Sequence, residues 1–142
     1  MQITRQNVLD VLENGWGGYV GRFQSLTPLA QADFLKHQGY ARLGDLLAHI
    51  VAWWETGLQA IRSYQSDPQA RQPEIDVDSF NARAVAEVRG LTDQELIRAF
   101  ETRRGEFVQA VNGLSEADFR DARILKQLEM ELVGHLEDHK IP

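Results

Sequence analysis

The placement of proline is the feature that most constrains how this 142-residue chain can fold. Its four prolines stand at positions 28, 68, 73 and 142, and they leave long intervals in which a helix can run unbroken. Proline ends most helices because it lacks a backbone N–H and its ring clashes with the preceding turn. No segment alternates strictly between apolar and polar residues, as a half-buried strand does. The sequence therefore predicts an all-α fold, and its length suits a single domain over residues 1–142.

Apolar residues at helical spacing predict where the helices run. They favour four helices, over residues about 4–23, 41–64, 79–112 and 122–140, with Thr4 as the first N-cap. The third helix is expected to break near Gly90 and to restart at a capping box that begins with Thr92. Residues 25–39 are predicted to form a loop. Residues 66–78 hold two prolines and form the longest linker, so we expect a four-helix bundle with a long crossover between helices two and three.

Charge and composition exclude several classes of function. The 15 basic and 21 acidic residues give a net charge of −6, and no cluster of Lys and Arg offsets it. Nucleic acids and anionic membranes bind through such clusters, so neither is an expected partner. The chain has no cysteine, which excludes disulfides and thiolate metal sites. Residues 1–12 lack the apolar core of a signal peptide, and residues 46–54 are too short an apolar stretch to span a bilayer; a cytoplasmic protein is predicted.

The histidines carry the strongest indication of chemistry. Of the four in the chain, His135 and His139 stand four residues apart, and on a helix such residues share one face. On a wheel of 100° per residue that starts at Ile124, they fall at about 20° and 60°, within the stripe that contains Leu128 and Leu132. Two imidazoles in an apolar interior are costly unless each is hydrogen-bonded or bound to a metal. A metal ion would satisfy both at once.

A third ligand is expected from His49, which lies at the edge of the apolar stripe of the second helix. Three imidazoles without a thiolate leave coordination positions open, as catalytic sites do and closed structural sites do not. The residues also allow plainer interpretations. His49 alone is compatible with a hydrogen-bonded core histidine, and the pair on the last helix with a solvated face, since Glu137 and Asp138 stand between its members. His37, in the predicted loop, is expected to be exposed.

The segment His49-Ile-Val-Ala-Trp53, followed far downstream by His135-Leu-Glu-Asp-His139, resembles the DinB-like superfamily of four-helix-bundle metalloenzymes. The resemblance covers nearly the whole chain, and Phe80-Asn81 is similar to a recurring feature of some members. It implies that the three histidines bind a divalent ion, zinc or nickel, at one end of the bundle. It also implies a low-molecular-weight thiol as cofactor, which members with transferase or isomerase activity use. Residues 118–123 lack the tryptophan that many members place there, so the members' substrate pocket is not carried over.

Further residues around the histidines are assigned roles by position. Glu131 stands one turn before His135 and is a candidate to orient a ligand imidazole or to act as a general base. Asp138 and Asp45 are weaker candidates for the same part, and Asp138 is expected simply to be solvated. Trp53 shares an edge with His49 and is predicted to be a pocket wall, whereas Trp54 is predicted to be core. Asn81 is assigned to the pocket by the resemblance alone.

Two classes of function remain open from the sequence. The first is a metal-dependent hydrolase or thiol-dependent transferase that acts on a small molecule. The second is a non-catalytic, dimeric metal- or ligand-binding stress-response protein. A homodimer is expected because helices one and two are apolar over much of their length and the first carries glycines at 15, 17, 18 and 21. Those glycines indicate either close packing or a kink, and the sequence does not decide between them.

Overall fold

The computed structural model describes residues 2–142, and it is all-α over that range, as predicted. The described residues contain no strand. The α-helices are α1 (Arg5–Asp10), α2 (Tyr19–Gln24), α3 (Pro28–Gln38), α4 (Leu43–Ser66), α5 (Val77–Glu87), α6 (Asp93–Asn112), α7 (Ala122–Leu128) and α8 (His135–Asp138). Two π-helical turns interrupt the outer helices, the first π turn at Val11–Trp16 and the second at Glu129–Gly134, and a 3-10 turn covers Asp118–Arg120. Within residues 2–142, every helix is too short or too polar to cross a membrane.

Side-chain caps set several helix starts where the sequence predicted them. The Thr4 hydroxyl accepts a hydrogen bond from the Asn7 N–H at the start of α1. At the start of α6 the Thr92 hydroxyl accepts from the Glu95 N–H, and the Glu95 carboxylate accepts from the Thr92 N–H. This reciprocal pair is the predicted capping box, and it satisfies two N–H groups that the helix itself leaves free.

The predicted loop over residues 25–39 is wrong, because most of it is helix α3. The Thr27 hydroxyl caps this helix by accepting from the Ala30 N–H, and Pro28 occupies its first turn, where the missing N–H costs nothing. Gly39 ends the helix with a φ of 84°, a left-handed conformation that favours glycine. The signals that start and end this helix were therefore present in the sequence. Its apolar residues are too weakly periodic to show that a helix lies between those signals.

The glycines of the first predicted helix produce both of the effects that the sequence left open. A Cβ on Gly15 would lie 2.6 Å from Leu136 Cδ2, so this glycine permits close packing of the first π turn against the last helix. The chain then turns at Gly17 and Gly18 before α2 begins. Gly21 has no neighbour within 4 Å and takes part in neither effect.

Helix α4 is the centre of the fold and packs against α3, α5, α6, α7 and the second π turn. Its core is aromatic, with the rings of Trp54 and Phe100 stacked at 5.3 Å and the rings of Trp54 and Trp16 edge-on at 5.2 Å. The largest fully buried side chains are Trp16, Tyr19, Trp54, Phe100, Phe107, Leu12, Leu46, Leu47, Ile50, Ile124, Leu128 and Leu132. Because much of the apolar face of helices one and two lies in this core, little of it is left to support the expected homodimer, which stays a prediction.

The second π turn changes the register of the last helix. A π turn holds one residue more than an α-helical turn, so it rotates all later residues by about 100° relative to an unbroken α-helix. The predicted wheel is therefore wrong beyond Glu129. Glu131 is buried, whereas His135 and His139, predicted within the apolar stripe, are half-buried at the edge of the core.

Candidate metal centre

The structure brings the three predicted histidines together at one end of α4. His49 lies in α4, His135 begins α8 and His139 follows it. One ring nitrogen from each lies within 4.8 Å of the others. The ring centres form a nearly regular triangle, with 5.5 Å between His49 and His135, 5.0 Å between His49 and His139, and 5.5 Å between His135 and His139. His37 is exposed on α3 and takes no part.

Helix α5 fixes the orientation of the His49 ring through Asn81. The Trp53 indole N–H can only donate, and it lies 2.7 Å from Asn81 Oδ1, so that atom is the amide oxygen. The same oxygen lies 3.0 Å from His49 Nδ1. Because an amide oxygen only accepts, His49 Nδ1 must carry the proton. The Nε2 of a neutral His49 therefore presents a lone pair.

Helix α3 does the same for His139 through Gln38. The Gln38 amide nitrogen donates to the Asp138 carbonyl at 3.3 Å, which places the amide oxygen 2.6 Å from His139 Nδ1. His139 Nδ1 therefore donates, and Nε2 of this ring also presents a lone pair. The Tyr19 hydroxyl donates to the His139 carbonyl at 2.6 Å and holds the backbone of the same residue.

The two lone pairs face each other. His49 Nε2 and His139 Nε2 are 3.1 Å apart, and both Nδ1 protons are already used by the amides. Two imidazole nitrogens bound to one zinc ion at 2.0–2.1 Å in tetrahedral geometry would lie about 3.3 Å apart. The observed separation thus fits a shared metal ion, and without a cation between them the two lone pairs repel.

Burial keeps the imidazoles in the neutral form that binds metals. Burial, together with the neighbouring His49, lowers the pKa of His135 to about 4. Burial and the two other histidines lower the pKa of His139 to about 3. The pKa of His49 is lowered by burial, and the hydrogen bond to Asn81 opposes that shift. A proton is therefore a poor substitute for a metal ion between these rings at neutral pH.

Glu131 and His135 are the unsatisfied part of the centre. Glu131 Oε2 and His135 Nδ1 are both buried without a hydrogen-bond partner, and they are 3.9 Å apart. Burial raises the pKa of the Glu131 carboxyl to about 8. Gly57 on α4 makes room for this side chain, since a Cβ there would lie 2.6 Å from Glu131 Cγ. An uncompensated buried carboxyl beside ring nitrogens is typical of a functional site.

A pocket of about 460 Å³ opens directly onto the three histidines. Trp53, predicted to be a pocket wall from its position, lines it, and so does Asn81, which the resemblance assigned to the pocket, whereas Trp54 lies fully in the core. Asp138 lines it from an exposed position, as expected of a solvated residue. The expectation for Asp45 is wrong, because its carboxylate is paired with Arg42 at 3.0 Å instead of orienting His49.

Sequence reasoning missed several residues of this site. Gln38 was assigned to a loop, although Thr27 and Gly39 mark the start and the end of the helix that holds it. Val77 and Met130 also line the pocket, and neither carries a sequence signal that separates it from an ordinary apolar residue. The order of the ligands along the chain was the one signal strong enough to find the centre.

Comparison of the chain with protein-family models, curated proteins and solved structures gives no match. The resemblance to the DinB-like superfamily therefore stays a prediction. The case for a functional site rests on the geometry of the histidines, the two amides and the pocket.

Proposed function

We propose that His49, His135 and His139 bind one divalent metal ion, with zinc or nickel as the expected metal. The observation that carries this proposal is the pair of facing Nε2 atoms, 3.1 Å apart, whose Nδ1 protons are committed to Asn81 and Gln38. Imidazole is a good ligand for both metals, and metal-bound imidazoles commonly donate their other N–H to a neighbouring oxygen.

The proposal includes the DinB-like fold. Its four helices would be the α1–α2 segment, α4, the α5–α6 segment and the α7–α8 segment, and residues 67–76 would form the long crossover. In support, α4 packs against α6 and α7, and the first π turn packs against α6 and the second π turn. Helix α3 lies outside this set and supplies Gln38 to the metal centre.

We further infer that the protein is a metal-dependent hydrolase or thiol-dependent transferase that acts on a small molecule. A bound divalent ion polarises a carbonyl or lowers the pKa of a bound water or thiol. The pocket beside the histidines supports this inference, because a purely structural site needs no such opening. Glu131 is the group that would exchange a proton with a reacting group during turnover, since its carboxyl lines the pocket and its raised pKa of about 8 lies near neutrality.

A specific observation also favours the non-catalytic alternative. Helix α8 is only 4 residues long, so a metal held by His135 and His139 on one side and His49 on the other would tie a short helical end to α4. In that case the metal would stabilise a metal- or ligand-binding stress-response protein. Metal-dependent turnover is what distinguishes the two functions.

Elemental analysis of tag-free protein tests the metal site. We expect close to one divalent ion per chain, and we expect His49→Ala, His135→Ala and His139→Ala each to remove most of it. His37→Ala is the matched control, because His37 is exposed and outside the cluster. Metal that persisted in His49→Ala at the wild-type level would reduce the proposal to a two-histidine site.

Hydrolysis of an activated ester such as para-nitrophenyl acetate, with and without chelator, tests catalysis. We expect turnover that requires the metal and falls at least about tenfold in Glu131→Gln, while the metal content stays unchanged. Turnover that is equal in the metal-loaded and metal-free proteins would favour the non-catalytic alternative.

A further inference from the structure

The ionisable side chains that line the pocket, apart from the histidines, are all acidic. Two acidic side chains, Glu131 and Asp138, are among the residues that line it, and no lysine or arginine is among them. The nearest cation along the chain, Lys140, is exposed and does not line the pocket. A bound divalent ion would supply positive charge only at the histidines. The rest of the lining offers an anionic group no cationic partner and, at Asp138, a charge that repels it.

The outer part of the pocket is apolar. The large hydrophobic side chains that stand out as exposed in residues 2–142 are Leu29, Val77, Leu91 and Met130. Val77 is 52% exposed and Met130 is 44% exposed, and both line this pocket although they come from α5 and from the second π turn. The Trp53 ring also lines the pocket, and it lies 4.3 Å from the Phe80 ring. Isolated exposed apolar residues are common, but two from distant segments that meet at one cavity indicate a surface for an apolar ligand.

We propose that the pocket accepts a small molecule with a metal-binding head and an apolar arm that carries no negative charge. This inference rests on the proposed metal site, which would hold the head. The arm would lie against Val77, Met130 and Trp53, and a cation on the arm is favoured by Asp138. A volume of about 460 Å³ suits a ligand of that size. Thiol cofactors that carry carboxylates are therefore disfavoured, which leaves hydrolysis, or transfer to an uncharged thiol, as the reaction.

Three matched hydroxamic acids test the inference on zinc-loaded protein. Benzohydroxamic acid, its para-trimethylammonium derivative and its para-carboxylate derivative share one metal-binding head and differ only in the charge of the arm. Isothermal titration calorimetry should show that the neutral and cationic probes bind, and that the carboxylate probe binds at least tenfold more weakly than either.

Two variants locate the discrimination within the pocket. Met130→Lys places a cation on the wall and is expected to reduce or invert the penalty of the carboxylate probe. Leu29→Lys makes the same change at an exposed apolar residue that does not line the pocket, and it is expected to leave the order of the probes unchanged. Zinc content is measured alongside for both variants.

The outcomes separate this inference from the metal site on which it rests. If the protein holds zinc but binds the carboxylate probe as tightly as the others, the inference is overturned and the metal site stands. An equal change in Met130→Lys and Leu29→Lys would also overturn it, because the discrimination would then be a property of the net charge. If the protein binds neither zinc nor nickel, the proposed function fails and this inference fails with it.

Discussion

The aromatic core and the histidine centre meet at the same π turn, yet they treat their polar groups in opposite ways. In the core, the Trp16 indole donates to the Leu132 carbonyl and the Trp54 indole donates to the Glu131 carbonyl, each at 2.9 Å. At the histidine centre, Glu131 Oε2 and His135 Nδ1 are buried without partners, and two ring nitrogens face each other without a proton between them.

This difference separates the polar groups that stabilise the fold from those that are positioned to bind a ligand. A π turn strains the regular hydrogen-bond ladder, and here the two indoles supply donors to its carbonyls, so the turn is stabilised from the core side. The unpartnered Glu131 carboxyl and His135 imidazole, on the side of the histidine centre, lower the free energy of unfolding. We therefore expect the core to stabilise the fold with or without metal, and the histidine centre to stabilise it only when an ion is bound.

The largest expected effect comes from the core. Trp54→Ala removes a fully buried ring and the donor to the Glu131 carbonyl, and it should lower the free energy of unfolding by about 3–5 kcal/mol. Urea denaturation of metal-free protein measures the change. Leu29→Ala is the control, because Leu29 is 73% exposed, and it should shift the midpoint little. A small effect of Trp54→Ala would mean that the core does not determine stability as the comparison requires.

Metal binding should change the free energy of unfolding about as much as the single core residue Trp54 does. Free zinc at about 1,000 times its dissociation constant should raise the free energy of unfolding of the wild-type protein by about 4 kcal/mol. The same zinc should have no effect on His49→Ala, whereas His37→Ala should respond as the wild type does. Without metal, His49→Ala should be about as stable as the wild type, because truncation removes one of the two facing lone pairs. Zinc-dependent stabilisation of His49→Ala would contradict the comparison.

Much of the fold could be predicted because its signals are local. The cap at Thr4, the capping box at Thr92 and the linker with two prolines depend on neighbouring residues, and the structure has each of them in place. The π turn at Glu129–Gly134 could not be predicted, since it depends on donors that Trp16 and Trp54 bring from elsewhere in the chain. Its shift of register is the reason that the helical wheel failed.

The candidate site shows the same division. His135 and His139 share a helical segment, so a four-residue spacing revealed them, and His49 could be added from its place on a core helix. Gln38 could not be found, because α3 carries only weak apolar periodicity and the contact with His139 joins residues 101 apart in sequence. What the ring nitrogens contact, and hence the argument for a metal, required the tertiary structure.

Acidification should lower the stability of the metal-free histidine centre. The unfolded chain binds protons near the ordinary histidine pKa of 6.5, whereas folded His135 and His139 stay neutral until the pH approaches 4 and 3. In Glu131→Gln, the free energy of unfolding should therefore fall by about 2 kcal/mol from pH 7 to pH 5.5. Urea titrations at the two pH values measure it.

The wild-type protein should fall less over the same range of pH. The pKa of Glu131 is raised from 4.5 to about 8, so the folded chain gains stability from this group as the pH falls from 8 toward 4.5. A wild-type protein that lost more stability than Glu131→Gln would show that this carboxyl is not held neutral in the metal-free fold.

The amides that orient the imidazoles should tune the affinity for the metal. Gln38→Ala and Asn81→Ala each remove the acceptor of an Nδ1 proton, and each should weaken zinc binding by at least about tenfold, or about 1.4 kcal/mol. Gln38→Glu keeps an acceptor and should bind zinc about as well as the wild type. Asn14→Ala, which removes an amide bonded only to Asp10, is the control. A chelator competition assay measures the affinities, and equal values in Asn14→Ala and Gln38→Ala would refute this role.

The smallest effect should be local and confined to the last helix. Helix α8 is only 4 residues long, and His139 is held by Tyr19 and Gln38 at the edge of the core. A bound ion would tie His135 and His139 to α4, so the binding energy becomes local folding energy for that turn. Chelator should therefore speed amide hydrogen exchange from about residue 134 onward and change exchange at Leu46–Ile50 little, because that segment is buried within the 24-residue helix α4 and exchanges only when the core opens. His49→Ala should show the faster exchange with or without chelator, and His37→Ala should follow the wild type. If neither the chelator nor His49→Ala changed the exchange rates in the last helix, no ion would join that helix to α4. The contrast between a core that is stable without metal and a chain end that depends on metal would then be lost.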